Sequence, residues 1–188
     1  MTTTLPTAPA TAPTRQRSGS RAGAAALVAA GISIAVGVTQ VLHPQDTDPA
    51  IEPRTAALLV GTSVMLWALP VLYLRLAALA GARWTAGVAT AGTVLLSGGM
   101  LSSAINGEDL SFFPAVALVA NALWFLGSLA LAAALWRSRR VSRPLVALLP
   151  LVTPVFLFLS QTGGGVPVGA YLAVLGWLLL RGQLDNRA

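Results

Sequence analysis

Six apolar runs separated by short polar stretches occupy most of this 188-residue chain. A transmembrane helix needs about 20 apolar residues, with a usable range near 17–25. Four runs meet that length, at 22–42, 54–74, 84–104 and 114–136. The last two, 144–160 and 166–180, have 17 and 15 residues, and Pro150 and Pro154 break the first of them. Only 10% of the residues are charged, against roughly a quarter in a soluble domain. These features predict an all-α membrane protein with a bundle of about six transmembrane helices.

A cluster of four arginines, at positions 137, 139, 140 and 143, separates the fourth apolar run from the fifth. Such a cluster is hard to carry across a bilayer and stays in the cytoplasm. Six helices threaded from it place both termini in the cytoplasm. Eleven of the twelve arginines then lie inside, and only Arg54 lies outside. We therefore predict a multi-pass protein of the cell (plasma) membrane. The arginines contact the lipid bilayer as a partner, and no nucleic acid partner is predicted.

The ends of the chain are predicted to be polar tails. Residues 1–21 contain Pro6, Pro9 and Pro13 and little apolar bulk, so they are expected to form a disordered cytoplasmic tail. Residues 22–181 then form the six-helix transmembrane domain, and residues 182–188 form a short cytoplasmic tail. A cleaved signal peptide is the alternative for the first run, but its 21 residues exceed the usual apolar core of about 7–15 residues.

The loop after the first run holds the residues best suited to chemistry. His43, Asp46 and Asp48 form an H-x-x-D-x-D pattern, and Glu52 follows. Imidazole and carboxylate oxygens can bind divalent cations. A catalytic zinc site needs three protein ligands and a structural site four, while this chain has one histidine and no cysteine. A solvated connecting loop is the favoured interpretation. No metal, cofactor or catalytic residue is predicted.

Asn121 is the strongest polar candidate inside the predicted spans, which contain no Asp, Glu, Lys, Arg or His between their charged ends. Ionisable groups inside a membrane domain mark proton relays and ion paths. Their lack disfavours a proton-coupled transporter. Asn121 is expected to bond a neighbouring helix, with a polar path through the bundle as the alternative.

The aromatic residues fall into two groups by depth. Four lie near predicted cytoplasmic helix ends, where amphipathic rings prefer to sit: Tyr73, Trp84, Trp136 and Trp177. Trp67 and Trp124 lie deeper and are predicted to pack inside the bundle.

Small residues recur every four positions along the first run, at Ala25, Ala29, Ser33 and Gly37. A stripe of this kind allows two helices to approach closely. We predict that it packs inside the bundle, and a dimer interface is the alternative.

Two segments carry a resemblance to a known group of proteins. They are Val-Leu-His-Pro at 41–44, followed by an acidic loop, and Leu-Pro-Val-Leu-Tyr-Leu-Arg-Leu at 69–76. Over residues 22–80 the chain resembles uncharacterised small multi-span integral membrane proteins of high-GC Gram-positive (actinobacterial) type. All twelve basic residues are arginine, which is typical of a GC-rich bacterial genome. The resemblance implies an architecture and no particular activity.

Three functions follow from these features. The favoured one is a non-enzymatic integral membrane protein, either an envelope component or a partner subunit of another membrane protein. The first alternative is a small permease or channel with a site near Asn121. The second is a membrane enzyme that uses His43, Asp46 and Asp48 of the outer loop.

Overall fold

The computed structural model describes residues 12–44 and 51–184, with side chains from residue 19 onward. These residues form helices joined by short turns and contain no β-strand. The α-helices are α1 (Ala12–Leu42), α2 (Pro53–Ala80), α3 (Arg83–Asn106), α4 (Phe113–Ser138), α5 (Arg143–Leu148), α6 (Val152–Phe158) and α7 (Gly165–Leu180). Single 3-10 turns lie at Leu149–Leu151 and Ser160–Thr162.

Four of the helices are long and apolar enough to cross a membrane. They are the Gly19–Leu42 part of α1, together with α2, α3 and α4. The remaining apolar helical segments, Arg143–Phe158 and Gly165–Leu180, are shorter. The prediction of an all-helical chain with multiple apolar segments is confirmed, and six such segments fit the described residues.

The fifth of these segments is broken at Pro150, whereas Pro154, which was also predicted to break it, lies inside α6. Arg143–Phe158, called here the fifth segment, consists of α5, a 3-10 turn and α6. Pro150 lies inside that turn. Proline has no backbone N–H and its ring clashes with the preceding turn of an α-helix, so the α-helix does not continue through it. By contrast, α2 continues through Pro70.

The start of α1 differs from the prediction. The helix begins at Ala12, although the prolines predicted a disordered tail as far as residue 21. Pro13 falls in the first turn, where the backbone N–H groups have no partner within the helix. A proline is therefore tolerated there. Residues 1–11 and 185–188 lie outside the described residues.

The long helices pack side by side in chain order, and the last helix, α7, packs against the first, α1. Helix α1 contacts both α2 and α7, α2 contacts α3, and α3 contacts α4, while the fifth segment packs mainly on α4. Gly23 near the start of α1 contacts Gly176 and Leu180 near the end of α7, and Gly37 contacts Gly165 at the start of α7. Helices α1 and α7 are therefore antiparallel. The start of α1 and the end of α7 lie at the same end of the bundle.

Glycines set the distance between helices at two interfaces. A methyl group on Gly92 of α3 would collide with the backbone of Ala120 and Trp124 in α4. At the α1–α7 interface, the Ser33 hydroxyl donates a 2.8 Å hydrogen bond to the Gly165 carbonyl. Ser33, Gly37 and Ala29 are buried. The prediction that the small-residue stripe of α1 packs inside the bundle is confirmed.

We expect Gly92→Ala to lower the free energy of unfolding by about 1–3 kcal/mol, the usual range for overpacking. The added methyl would meet backbone atoms, which cannot rotate away. Gly87→Ala is the matched control, because nothing lies within 4 Å of its added methyl. It should be neutral or stabilising by up to about 1 kcal/mol. Unfolding of the purified protein in detergent measures both, and equal effects would contradict the close α3–α4 approach.

Candidate functional site

The outer-loop candidates do not form a metal site in the described part of the chain. His43 lies just after α1 and Glu52 just before α2, and both are exposed. Asp46 and Asp48 lie outside the described residues. Among the residues described, no group of three or more His, Asp or Glu side chains could hold a metal ion. The metal-binding and enzyme hypotheses for His43, Asp46 and Asp48 therefore stay predictions.

Asn121 bonds its own helix instead of a neighbouring one. Its amide nitrogen donates a 2.8 Å hydrogen bond to the Ala117 carbonyl, one turn earlier in α4. The expectation of an interhelical bond is wrong. The carbonyl four residues back is within reach of a short amide side chain, so the donor is satisfied locally. Asn121 is half-buried.

An aromatic cluster joins α2, α4 and α6 in the core. The Trp124 indole N–H donates a 2.7 Å hydrogen bond to the Tyr73 hydroxyl. Trp124 is 0% exposed and Tyr73 1% exposed. The rings of Trp124 and Phe156 lie 6.2 Å apart with an interplanar angle of 59°. Trp124 packs inside the bundle as predicted, whereas the prediction of an interfacial Tyr73 is wrong.

Buried hydroxyl groups lie beside this aromatic cluster. Ser128, one turn after Trp124, is next to Tyr73. Thr153 lies three residues before Phe156 on α6. The Thr153 hydroxyl has no hydrogen-bond partner among the described residues. The Tyr73–Trp124 hydrogen bond and the Trp124–Phe156 ring contact connect α2, α4 and α6 through buried side chains.

Trp67 was predicted to pack inside the bundle, and this prediction is wrong. It is 57% exposed near the middle of α2. The inward face of α2 is occupied by Leu66, Leu69 and Tyr73, each at most 1% exposed. Because these positions repeat at helical spacing, Trp67 projects from the opposite face.

The charged side chains divide between the two ends of the bundle. One end, called here the arginine-rich end, carries most of the described arginines: Arg21, Arg75, Arg83, Arg137, Arg139, Arg140, Arg143 and Arg181. The described carboxylates lie at the opposite end: Glu52, Glu108 and Asp109. The helix directions agree with this separation. Seven of these eight arginines lie near helix ends on that side, and Arg21 lies two residues before Gly23, which contacts the end of α7.

Exposed tryptophans surround the arginine-rich end. Trp84, Trp136 and Trp177 are 68%, 45% and 51% exposed. The Arg143 guanidinium carbon lies 5.5 Å from the ring centroid of Trp136, and that of Arg181 lies 4.1 Å from Trp177. Both are cation–π contacts. Amphipathic rings and guanidinium groups together suit the boundary between hydrocarbon and lipid headgroups.

A cleft of about 230 Å³ lies between the fifth segment and α7. Its lining is apolar apart from one hydroxyl and consists of Leu148, Leu151, Val152, Val155, Pro167, Val168 and Tyr171. The Tyr171 hydroxyl donates a 2.8 Å hydrogen bond to the Leu145 carbonyl. That bond ties α7 to the start of the fifth segment beside the cleft.

Comparison with known proteins gives no relative: no protein-family model, curated protein or solved structure matches this chain. Function must therefore be inferred from the packing, the exposed surfaces and the charge distribution of the described residues.

A double-mutant cycle tests whether the Tyr73–Trp124 hydrogen bond couples α2 to α4. We expect Tyr73→Phe and Trp124→Phe to be non-additive in the free energy of unfolding, by about 0.6 kcal/mol and at most about 1.7 kcal/mol, the range for interhelical bonds in membranes. Trp177→Phe combined with Tyr73→Phe is the control pair and should be additive. Additivity in both pairs would show that the bond contributes no coupling.

Proposed function

We propose that the chain is a non-enzymatic, multi-pass protein of the bacterial plasma membrane, which acts as a partner subunit or an envelope component. The observation that supports it best is the filling of the interior. The largest fully buried side chains include Trp124, Tyr73 and Met65, so bulky side chains fill the interior of the bundle. The buried hydroxyls of Ser63 in α2 and Ser97 in α3 are also satisfied within the bundle, because each donates a 3.2 Å hydrogen bond to the backbone carbonyl of the other residue.

The proposed orientation has both termini in the cytoplasm. It is supported by the eight described arginines at one end of the bundle, because arginine bias sets the orientation of membrane helices. Arg54 lies at the opposite end. A high-GC Gram-positive source belongs to the same proposal and rests on the exclusive use of arginine and on the two segments quoted above.

The two alternative functions have less support. A permease or channel near Asn121 would need a free polar group facing a path, but the Asn121 amide donates within its own helix. An enzyme at His43 would need that exposed side chain to meet Asp46 and Asp48, which lie outside the described residues.

Trp67 supports the partner-subunit form of the proposal. Tryptophan prefers the membrane interface, and an indole N–H surrounded by hydrocarbon would have no acceptor. An outward Trp67 near the middle of α2 fits a surface that another transmembrane helix covers. A second helix could supply both packing and an acceptor for the indole.

Single cysteines test the orientation without background, because the chain has no native cysteine. Asp109→Cys should react with a membrane-impermeant thiol reagent in intact cells. Ser138→Cys should react only after the membrane is opened. The two positions lie at opposite ends of α4 and its preceding loop, so the reverse labelling pattern would overturn the proposed orientation.

Photo-crosslinking tests the partner surface. A photoreactive amino acid placed at Trp67 in the native host should crosslink the protein to another membrane protein or to a second copy. The matched control is Leu126, which is 56% exposed against 57% for Trp67 and also lies mid-helix. It should give mostly lipid adducts. Lipid adducts alone at both positions would reject a partner on this face and leave the envelope-component form.

A further inference from the structure

Helix α4 ends in a backbone conformation that favours glycine, but the residue there is an arginine. Helices α2 and α3 are followed by Gly81 and Gly107, at φ 70° and φ 72°. The corresponding residue after α4 is Arg139, at φ 56°, and no other residue except glycine has a positive φ in the described part of the chain. This conformation brings a Cβ atom close to the following carbonyl oxygen, and glycine has no Cβ. Unfavourable backbone conformations of this kind cluster at functional sites, so the Arg139 side chain is a candidate for binding.

The short loop between α4 and α5 has a fixed backbone. The Arg139 N–H donates a 3.1 Å hydrogen bond to the Leu135 carbonyl, and the Val146 N–H donates one of the same length to the Ser142 carbonyl. Val141 lies between these two bonds and is 5% exposed in the core. The loop therefore presents the arginine side chains around it from a defined position.

Residues 137–143, called here the arginine loop, carry a concentration of positive charge. The described carboxylates lie at the opposite end of the bundle, so none of them pairs with these guanidinium groups. The guanidinium carbon of Arg143 lies 5.5 Å from the ring centroid of Trp136. Trp136 is 45% exposed. The arginines of the loop are Arg137, Arg139, Arg140 and Arg143, and only Arg140 is half-buried while the others are exposed.

A lipid phosphate is the anion that this loop is best placed to meet. An exposed tryptophan beside an arginine suits the boundary between hydrocarbon and headgroups. Only four residues separate α4 from α5, so the loop cannot extend far from that boundary. Guanidinium groups form strong, often bidentate hydrogen bonds to phosphate oxygens, and clusters of four or more basic residues next to a membrane helix favour anionic lipids.

We propose that the arginine loop is a binding site for the phosphate headgroup of an anionic phospholipid in the leaflet at the arginine-rich end. Arg139 and Arg143 bind the phosphate oxygens, and Trp136 holds the Arg143 guanidinium at the depth of the headgroup. A defined loop thus retains a lipid, which is more than a general attraction of arginines to the bilayer. The inference rests on the membrane location in the proposed function, but on neither the partner nor the orientation. A chain that enters micelles without preferring an anionic lipid would overturn this site and leave the proposed function standing.

The test uses the full chain purified in detergent, with phosphatidylglycerol or phosphatidylcholine added in mixed micelles. Native mass spectrometry counts retained lipid, and thermal unfolding without lipid reports stability. The wild type should retain phosphatidylglycerol in preference to phosphatidylcholine. Arg139→Gly should weaken the binding of phosphatidylglycerol by about tenfold, the effect of losing one charge-assisted hydrogen bond. It should also unfold at the same or a higher temperature, because glycine adopts the left-handed conformation readily.

Arg139→Gln separates the charge from the backbone conformation, because it removes the guanidinium and keeps a side chain at this position. It should weaken phosphatidylglycerol binding as much as Arg139→Gly does, without raising the unfolding temperature. Unchanged lipid binding in both variants would overturn the proposal. A lower unfolding temperature for Arg139→Gly would also overturn it, since the arginine would then serve the fold.

Two further comparisons test whether the site is local and whether its ligand is a lipid. Arg143→Gln should weaken phosphatidylglycerol binding by about tenfold, whereas Arg83→Gln, which removes an exposed arginine at the same end, should not change it. Equal losses in these two variants would show diffuse attraction and overturn the site. Inorganic phosphate added to the micelles should not displace phosphatidylglycerol. Displacement would assign the loop to a free phosphate and overturn the lipid as its ligand.

Discussion

Close approach of helix backbones is the interaction on which this bundle depends. Lipid is as apolar as a leucine side chain, so helices in a membrane gain little from hiding apolar surface and associate through packing and hydrogen bonds. Gly92 lets α3 approach the backbone of α4, and Gly37 lets α1 approach Gly165. Because glycine has no side chain, the two helix backbones are in direct contact at these positions.

The Tyr73–Trp124 hydrogen bond fixes the position of α2 relative to α4 within this packing. Glycine contacts tolerate some sliding of one helix along another, whereas a 2.7 Å bond between two fully buried side chains requires one relative height of α2 and α4. Phe156 extends the cluster to α6. The broken fifth segment is thus held against the long helices at its second half by aromatic packing.

The number and position of the apolar segments could be predicted from the sequence. The length of each segment and the charges at its ends can be read from neighbouring residues alone. The sequence did not indicate which face of each helix is buried. An amphipathic helix reveals its buried face because apolar residues recur every three or four positions, but α2 is apolar on its exposed face as well as on its buried face. Trp67 and Tyr73 were therefore assigned to the wrong surroundings. The Tyr73–Trp124 pair also joins residues 51 positions apart, and nothing in either local segment indicates it.

The α1–α7 interface has a consequence for the order of synthesis. Ser33 and its partner Gly165 are 132 positions apart, so at 5–20 residues per second α1 would wait roughly 7–26 s for its neighbour. During that interval the glycine- and serine-lined face of α1 lacks the helix that covers it in the folded bundle. Bundle closure is therefore the last step of assembly.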